Sequence, residues 1–440
     1  MLARPTNFDH HWLPFTNNRM FRETPQMFAK AEGVRYLTPE GDTVLDGSSG
    51  LFCTPAGHGR REIADAVHAQ LMTLDYTPHF QRAAPVSFEL AERLAGLLPE
   101  GLDRVFFASS GSEAVDSAMK ICLTYHRAKG EGQRTRFVSR NWGYHGVNLG
   151  GTSLAGMVNN RREFSGVTCD VVHMRQTWSE EQRYTQGQPE TGAELADDLE
   201  EICRTYGADT IAGVFVEPIA GSIGTVVPPK GYLERLRAIA DRYGLLLIFD
   251  EVITGFGRTG AAFASQAFGV TPDIVTMAKA LTNGAIPMSA VATTAAIQDT
   301  VFAAAGDQDR PELFHGYTYS AHPVACAAAL ATLDIYRDEK LFERAAALSP
   351  AFLDMIFGLR NLPQVSDLRG YGMLAGIQLA PADKPGAKGS LAQRALFDAG
   401  LHVKATGDAL IVAPAFVSGE DDLEQMGDIL RRVLGRADLS

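Results

Sequence analysis

The fold class this chain predicts is α/β, a mostly parallel sheet in a large domain beside a smaller α+β domain, and three observations predict it. Through the middle of the chain, short apolar runs alternate with segments whose apolar residues recur at helical spacing. The most apolar run, Leu245 to Phe249, shows no polar alternation, as expected of a strand covered on both faces. The two ends of the chain read differently, as short strands, turns and a few long helices.

Taken in order, residues 31–52 read as short strands with a hairpin around Glu40 and Gly41. DRVFFAS (103–109) is a buried strand. SEAVDSAMKICLTYHRAKG follows as a helix, with Val115, Ala118, Met119 and Cys122 on one face and Gly130 as a stop. TRFVSR, DVVHM and DTIAGVFVEP are further strands. GYLERLRAIADRYG places Leu233, Leu236, Ile239, Ala240 and Tyr243 on one helical face and ends at Gly244. PDIVTMAK and MSAVATT follow as strands, and PVACAAALATLDIY as a packed helix too short to span a membrane. QTWSEEQRYTQGQPETG (176–192) is a polar insertion without a period. After residue 340 come a helix, a glycine-rich strand LRGYGMLAGIQL, a surface loop at 381–390, the helix LAQRALFDAG, the strand ALIVAPAF and a final helix EDDLEQMGDILRRVLGR. The expected division is a large domain over 56–335 and a small domain built from 1–55 and 336–440.

With 440 residues the chain is long enough for two domains. Its formal net charge of −12 argues against nucleic acid or an anionic membrane as partner, since both need a cationic surface. The five cysteines are odd in number and form no CxxC pair, which argues against a zinc site or a disulfide framework. No metal is expected, and a reducing cytoplasm is. The opening MLARPTNFDHHWLPF lacks the apolar stretch of a signal peptide.

Ligands of parallel α/β sheets gather beyond the carboxyl ends of the strands. The residues there are Ser109 to Glu113, Glu217, Asp250 with Glu251, and Lys279. A small-residue turn opening a helix suits a phosphate, although a helix cap is an equally good role for Ser112. The missing lysine and the spacing exclude a Walker loop. A buried acid at a strand end suits a protonated ring nitrogen; its plainer role is pairing with an arginine such as Arg258. A partly buried lysine suits a Schiff base with an aldehyde. Together the three describe a site for pyridoxal phosphate.

SSGSEAVDSAMK, NWGYHG, FVEP, LLIFDEVITGFGRTG, PDIVTMAKALTNG and HGYTYSAHPVACAA resemble the class III aminotransferases, pyridoxal-phosphate enzymes of fold type I, the aspartate aminotransferase-like fold. HWLPFTNNRMF and LDYTPHFQ add a resemblance to the β-alanine:pyruvate or ω-amino acid:pyruvate branch. The resemblance implies that Lys279 carries the cofactor and moves the proton, and that Asp250 pairs with the ring nitrogen. It implies that Ser110, Gly111 and Ser112 hold the phosphate, that Tyr144 and Val252 cover the two ring faces, and that Glu217 steadies Asp250 and the ring hydroxyl side. Thr318 would reach the phosphate of a neighbouring subunit, making a homodimer obligatory, with pairing into tetramers left open. Phe15, Phe52 and Phe80 would line the substrate pocket, Phe80 from the partner. Lys404 stands where the branch usually has an arginine for the acceptor carboxylate, and Phe52 where it often has tryptophan. The expected substrates are an amine and a keto acid. Structural roles are expected for His145 and His322, and a backbone-facing side chain for Glu251. An aminomutase of the same fold, a nucleotide-binding dehydrogenase and a non-catalytic binding protein are the rival readings. The serine turn does not suit the dehydrogenase, and an intact Lys279 and Asp250 argue against the binding protein.

Overall fold

The computed structural model describes residues 4–5, 7–306 and 309–436. Its central sheet has seven strands, in the order Leu102–Ala108, Ser289–Thr294, Ile274–Met277, Leu246–Asp250, Ile211–Val216, Arg136–Arg140 and Val171–Met174. Ser289–Thr294 runs antiparallel to both its neighbours. The remaining pairs are parallel, so six strands point the same way and end on one rim.

The apolar runs of these strands sort by parity. Leu247, Phe249, Val214 and Val216 join the core on one face. Leu246, Ile248 and Phe215 meet Val115, Ala118, Met119 and Cys122 of the helix Gly111–Ala128 on the other. Every residue of Leu246–Asp250 is buried, and each such large apolar side chain contributes roughly 1.5–3 kcal/mol relative to an exposed one. That double coverage is why this strand lacks alternation. On the first face lies the helix Tyr232–Tyr243, with Leu233, Leu236, Ile239 and Ala240 buried and a left-handed Gly244 closing it.

The chain ends form two four-stranded sheets. Lys30–Glu32, Arg35–Leu37 and Thr43–Asp46 are antiparallel, and Thr43–Asp46 pairs in parallel with Leu401–His402. The second sheet holds Val365–Tyr371, Leu374–Leu379, Ala409–Val412 and Lys404–Thr406. The glycine-rich stretch expected as one strand is therefore a hairpin, turning at Gly372 and Met373. A two-residue turn of Gly372 and Met373 between Tyr371 and Leu374 leaves no break in an apolar pattern, so the run reads as continuous. The loop expected over 381–390 is shorter than expected, because the helix Ala387–Asp398 begins inside it. The 176–192 insertion has only a 3-10 turn, yet it is tied to the second sheet. Trp178 Nε1 donates to Asp367 Oδ2 at 2.9 Å, and the Tyr184 amide to Asp367 Oδ1 at 2.6 Å. Among the described residues no helix is long and apolar enough to cross a membrane.

Candidate active site

The carboxyl ends of the parallel strands open onto a cavity of about 350 Å³. Ser110, Gly111, Ser112, Tyr144, Glu217, Asp250, Val252 and Lys279, drawn from segments far apart in the chain, all line it.

The serine turn is built by capping. Ser110, in an extended conformation, accepts the amide of Glu113 at 3.2 Å, and Glu113 reaches back to accept the amide of Ser109 at 2.7 Å. Capping thus falls to Ser110, not to Ser112. Ser112 Oγ instead accepts the amide of Val147 at 3.0 Å, joining the turn to the NWGYHG loop. The amides of Gly111 and Ser112 have no acceptor among the described residues. They stand at the positive end of an 18-residue helix, the donor set an anion needs. Gly146 lets the loop come this close: its φ is +93°, and a Cβ there would meet Ser112 Oγ at 2.4 Å.

The two acids at the end of Leu246–Asp250 face opposite ways. Glu251 is buried and accepts the amides of Ala264 (2.5 Å) and Ser265 (2.8 Å) and the hydroxyl of Thr254 (3.0 Å), as expected of a backbone-facing side chain. Asp250 turns to the cavity. Its Oδ1 accepts from the Val252 amide and from Thr276 Oγ1, both at 3.2 Å, and its Oδ2 lies 2.8 Å from His145 Nδ1. Arg258, the plainer partner suggested for Asp250, is elsewhere. It is buried and donates to the carbonyls of Pro414 (2.7 Å) and Met373 (3.2 Å) and to Ser49 Oγ (3.2 Å).

Glu217 accepts the Tyr144 amide at 3.0 Å, while its own carbonyl accepts from Arg140 at 2.6 Å. Burial, and next the nearby charge of Asp250 against the opposing influence of His145, leaves the Glu217 carboxyl above its ordinary range. The Tyr144 phenol is raised by burial and then by Asp250 and Glu217.

Lys279 follows its strand in a left-handed conformation, φ +51°, at the start of a 3-10 turn. Among the described residues its amine has no hydrogen bond or ion pair. Burial lowers its pKa, opposed by Cys53, Asp250 and Glu217. An amine so placed is a ready nucleophile.

The remaining expected residues do not line this cavity. Phe52 is buried beside it, its ring centre 5.9 Å from Lys279 Nζ. Phe15 and Phe80 are exposed, as is Thr318, whose carbonyl accepts from Tyr76. Lys404 lies on the strand Lys404–Thr406, half-buried, and burial lowers its amine. His322 caps the helix Pro323–Asp338, a structural role as expected. His145 has a larger part than sequence reasoning assigned, because its contact to Asp250 joins residues 105 positions apart. Cys53 and Met288 of the lining were also missed; an apolar or thiol side chain carries no signal of a cavity wall. Among the described residues no acid, histidine and cysteine group is arranged to hold a metal.

The donor set tests whether pyridoxal phosphate suits this cavity. An unpartnered lysine amine, two unpartnered amides at a helix start and a carboxylate braced by three donors match its aldehyde, phosphate and ring nitrogen in kind.

Comparison with known proteins agrees. The chain is 49% identical to an omega-aminotransferase of Caulobacter vibrioides over 98% of both chains. It is 45% identical to a beta-alanine–pyruvate aminotransferase of Pseudomonas aeruginosa, covering 97% of this chain and 96% of the relative. An amine transaminase from an uncultivated Pseudomonas species, solved in its PLP-bound form, superposes with a TM-score of 0.90 at 34% identity, over 97% of this chain and 98% of that one. The family model described as aminotransferase class-III matches residues 17–434. Sequence, fold and the chemistry gathered at one sheet rim therefore converge, and the chain belongs to the class III aminotransferases.

Proposed function

We propose that this enzyme moves the amino group of an ω-amino acid or primary amine of the β-alanine type to pyruvate, giving L-alanine and an aldehyde or keto acid, with pyridoxal 5′-phosphate as cofactor. The observation that carries the reading is that the Lys279 amine and the Asp250 carboxylate, at the ends of two adjacent strands, line one cavity together with the serine turn. The activities of the relatives support it.

Bound pyridoxal phosphate supplies an aldehyde that condenses with amines and a protonated ring that draws electrons from the adjoining carbon. Lys279 Nζ would hold the cofactor through its aldehyde. The same amine would serve as the base that moves the proton of the substrate's amine-bearing carbon, in both half-reactions. Asp250 holds a proton on the ring nitrogen. The Gly111 and Ser112 amides with the serine hydroxyls bind the phosphate. Tyr144 and Val252 cover the ring faces, and Glu217 braces the Tyr144 backbone. Phe15, Phe52 and Phe80 shape the donor pocket, and Lys404 attracts the acceptor carboxylate. A lysine does this as a point charge, without the bidentate fork of an arginine.

The exposed Phe80 and Thr318 belong, in this reading, to a homodimer whose partner they complete, inside a large domain of 56–335 and a small one of 1–55 and 336–440. Five unpaired cysteines suit a reducing cytoplasm.

A spectrum tests the function. The purified holoenzyme should show a band near roughly 410–420 nm that an amine bleaches and pyruvate restores, with release of alanine. Turnover without a second substrate would instead point to an aminomutase.

A further inference from the structure

The turn that brings Phe52 and Cys53 to the cavity is held in a conformation L-residues avoid. Ser49 (φ +46°), Gly50 (φ +65°) and Phe52 (φ +64°) all have positive φ. Side chains stay in this region only where their surroundings over-determine it. Here they stand beside the reacting lysine. Phe52 packs with Ile219 and Ile253, which line the cavity, and Cys53 lines it directly.

One buried carboxylate organises the turn. Asp46, 1% exposed, accepts the Ser48 amide at 3.0 Å through Oδ1 and the Gly50 amide at 2.6 Å through Oδ2. The same Oδ2 lies 2.9 Å from His58 Nε2. Tyr36 closes the group. Its ring centre is 4.6 Å from that of His58, and a Cβ on Gly50, at φ +65°, would come within 3.1 Å of its hydroxyl, so glycine suits the turn where it passes over Tyr36. The serines stitch the turn's other side to the second small sheet. Ser48 Oγ donates to the Ile411 carbonyl (2.9 Å) and accepts the Lys404 amide (3.0 Å), and Ser49 Oγ donates to the Ala413 carbonyl (2.8 Å).

We propose that Asp46 is a positioning residue for substrate selection: by holding the 48–53 turn in its left-handed form, it sets where Phe52 and Cys53 stand against Lys279 and therefore which amines the cavity admits. The inference rests on the aminotransferase reading. Without the two amide bonds the turn relaxes towards ordinary φ, Phe52 withdraws, and the Cys53 thiol becomes more accessible.

The test compares wild type with Asp46→Asn, which keeps the size but loses the charge and an acceptor. The ratio of kcat/KM for 1-phenylethylamine to that for β-alanine should change about tenfold, through KM rather than kcat. Alkylation of Cys53 by iodoacetamide, followed by mass spectrometry with the exposed Cys169 as internal standard, should quicken by about the same factor. An unchanged ratio with unchanged Cys53 labelling, or equal losses for both amines, overturns the proposal. Should Asp46→Asn not fold, His58→Ala removes the ring that orients Asp46 Oδ2 towards the Gly50 amide, loosening that bond while leaving the bond to the Ser48 amide. It should show both changes at about threefold, and wild-type behaviour there overturns the proposal equally. A wild type that no amine bleaches sinks the aminotransferase reading instead, and the labelling of Cys53 then still judges the role of Asp46.

Discussion

Asp250 Oδ2 and His145 Nδ1 stand 2.8 Å apart, both side chains buried, at the edge of the cavity that Lys279 shares. Among the described residues, the carboxylate that meets the cavity is therefore not held by an arginine. An imidazole, an amide and a hydroxyl hold it, and its remaining acceptor capacity points at whatever occupies the site.

Removing the imidazole tests this arrangement. His145→Ala leaves Asp250 with the Val252 amide and Thr276 Oγ1, each at 3.2 Å. Loss of one hydrogen bond to a charged group is worth about 1.5–3 kcal/mol, so kcat should fall roughly 10- to 100-fold in a folded protein. Asp250→Asn should cost more, on the order of 10²–10³, because the charge facing the ring goes as well. Single-turnover rates with excess amine measure both.

Lys279 makes a pH prediction for the cofactor-free protein. Burial places its folded pKa below the ordinary 10.5. Between that lowered value and 10.5 the unfolded chain keeps a proton that the folded chain has lost, so stability rises with pH across the window. Lys279→Met removes this contribution. The variant should show a shallower rise of urea midpoint with pH through that window, and no bleaching by any amine after reconstitution. Parallel midpoint curves for the two proteins would contradict the burial argument.

Gly146 is predicted to control cofactor affinity. Gly146→Ala puts a methyl 2.4 Å from Ser112 Oγ and 2.8 Å from Ser112 Cα, at a φ of +93°. The loop must back away from the serine turn, which disturbs the hydroxyl and amides offered to the phosphate. Cofactor affinity should fall about tenfold or more by absorbance titration, corresponding to ~1.4 kcal/mol or more. The core, remote from this contact, should keep its far-UV spectrum.

Lys404 should separate the two half-reactions. Its amine is half-buried, and among the described residues it has no ion-pair or hydrogen-bond partner. If it attracts the acceptor carboxylate, Lys404→Ala raises the KM for pyruvate about tenfold while the rate with an amine lacking a carboxylate stays within about twofold. An unaltered pyruvate half-reaction would remove Lys404 from the site.

Much of the site was legible because strand ends announce themselves. An apolar run such as Leu246–Asp250 must stop where its backbone leaves the sheet, and the polar residue at the stop stands on the ligand-binding rim. Ser110, Glu217, Asp250 and Lys279 each follow such a run, so local pattern alone placed them together. The helix Gly111–Ala128 was legible for a similar reason: its apolar residues recur with the helical period because only one face is covered.

Contacts between distant segments were not legible, since nothing in local periodicity encodes them. His145 meets Asp250, and Ser112 receives Val147, only because strands that are not adjacent in the sheet end on the same rim. The 176–192 stretch has no period of its own and takes its form from Asp367, more than 180 residues later. Asp46 reads as an ordinary turn acid until His58, Tyr36 and the carbonyls of 411 and 413 close around its loop.

The order of residues alone thus settled the layered α/β architecture and the chemical inventory of the rim, because burial imposes a period on each element separately. Which member of that inventory braces which, that Ser110 rather than Ser112 caps the helix, and that Glu251 turns away while Asp250 turns in were decided only by packing in three dimensions. A buried polar group must find a partner wherever the fold supplies one, and that partner is seldom its neighbour in the chain.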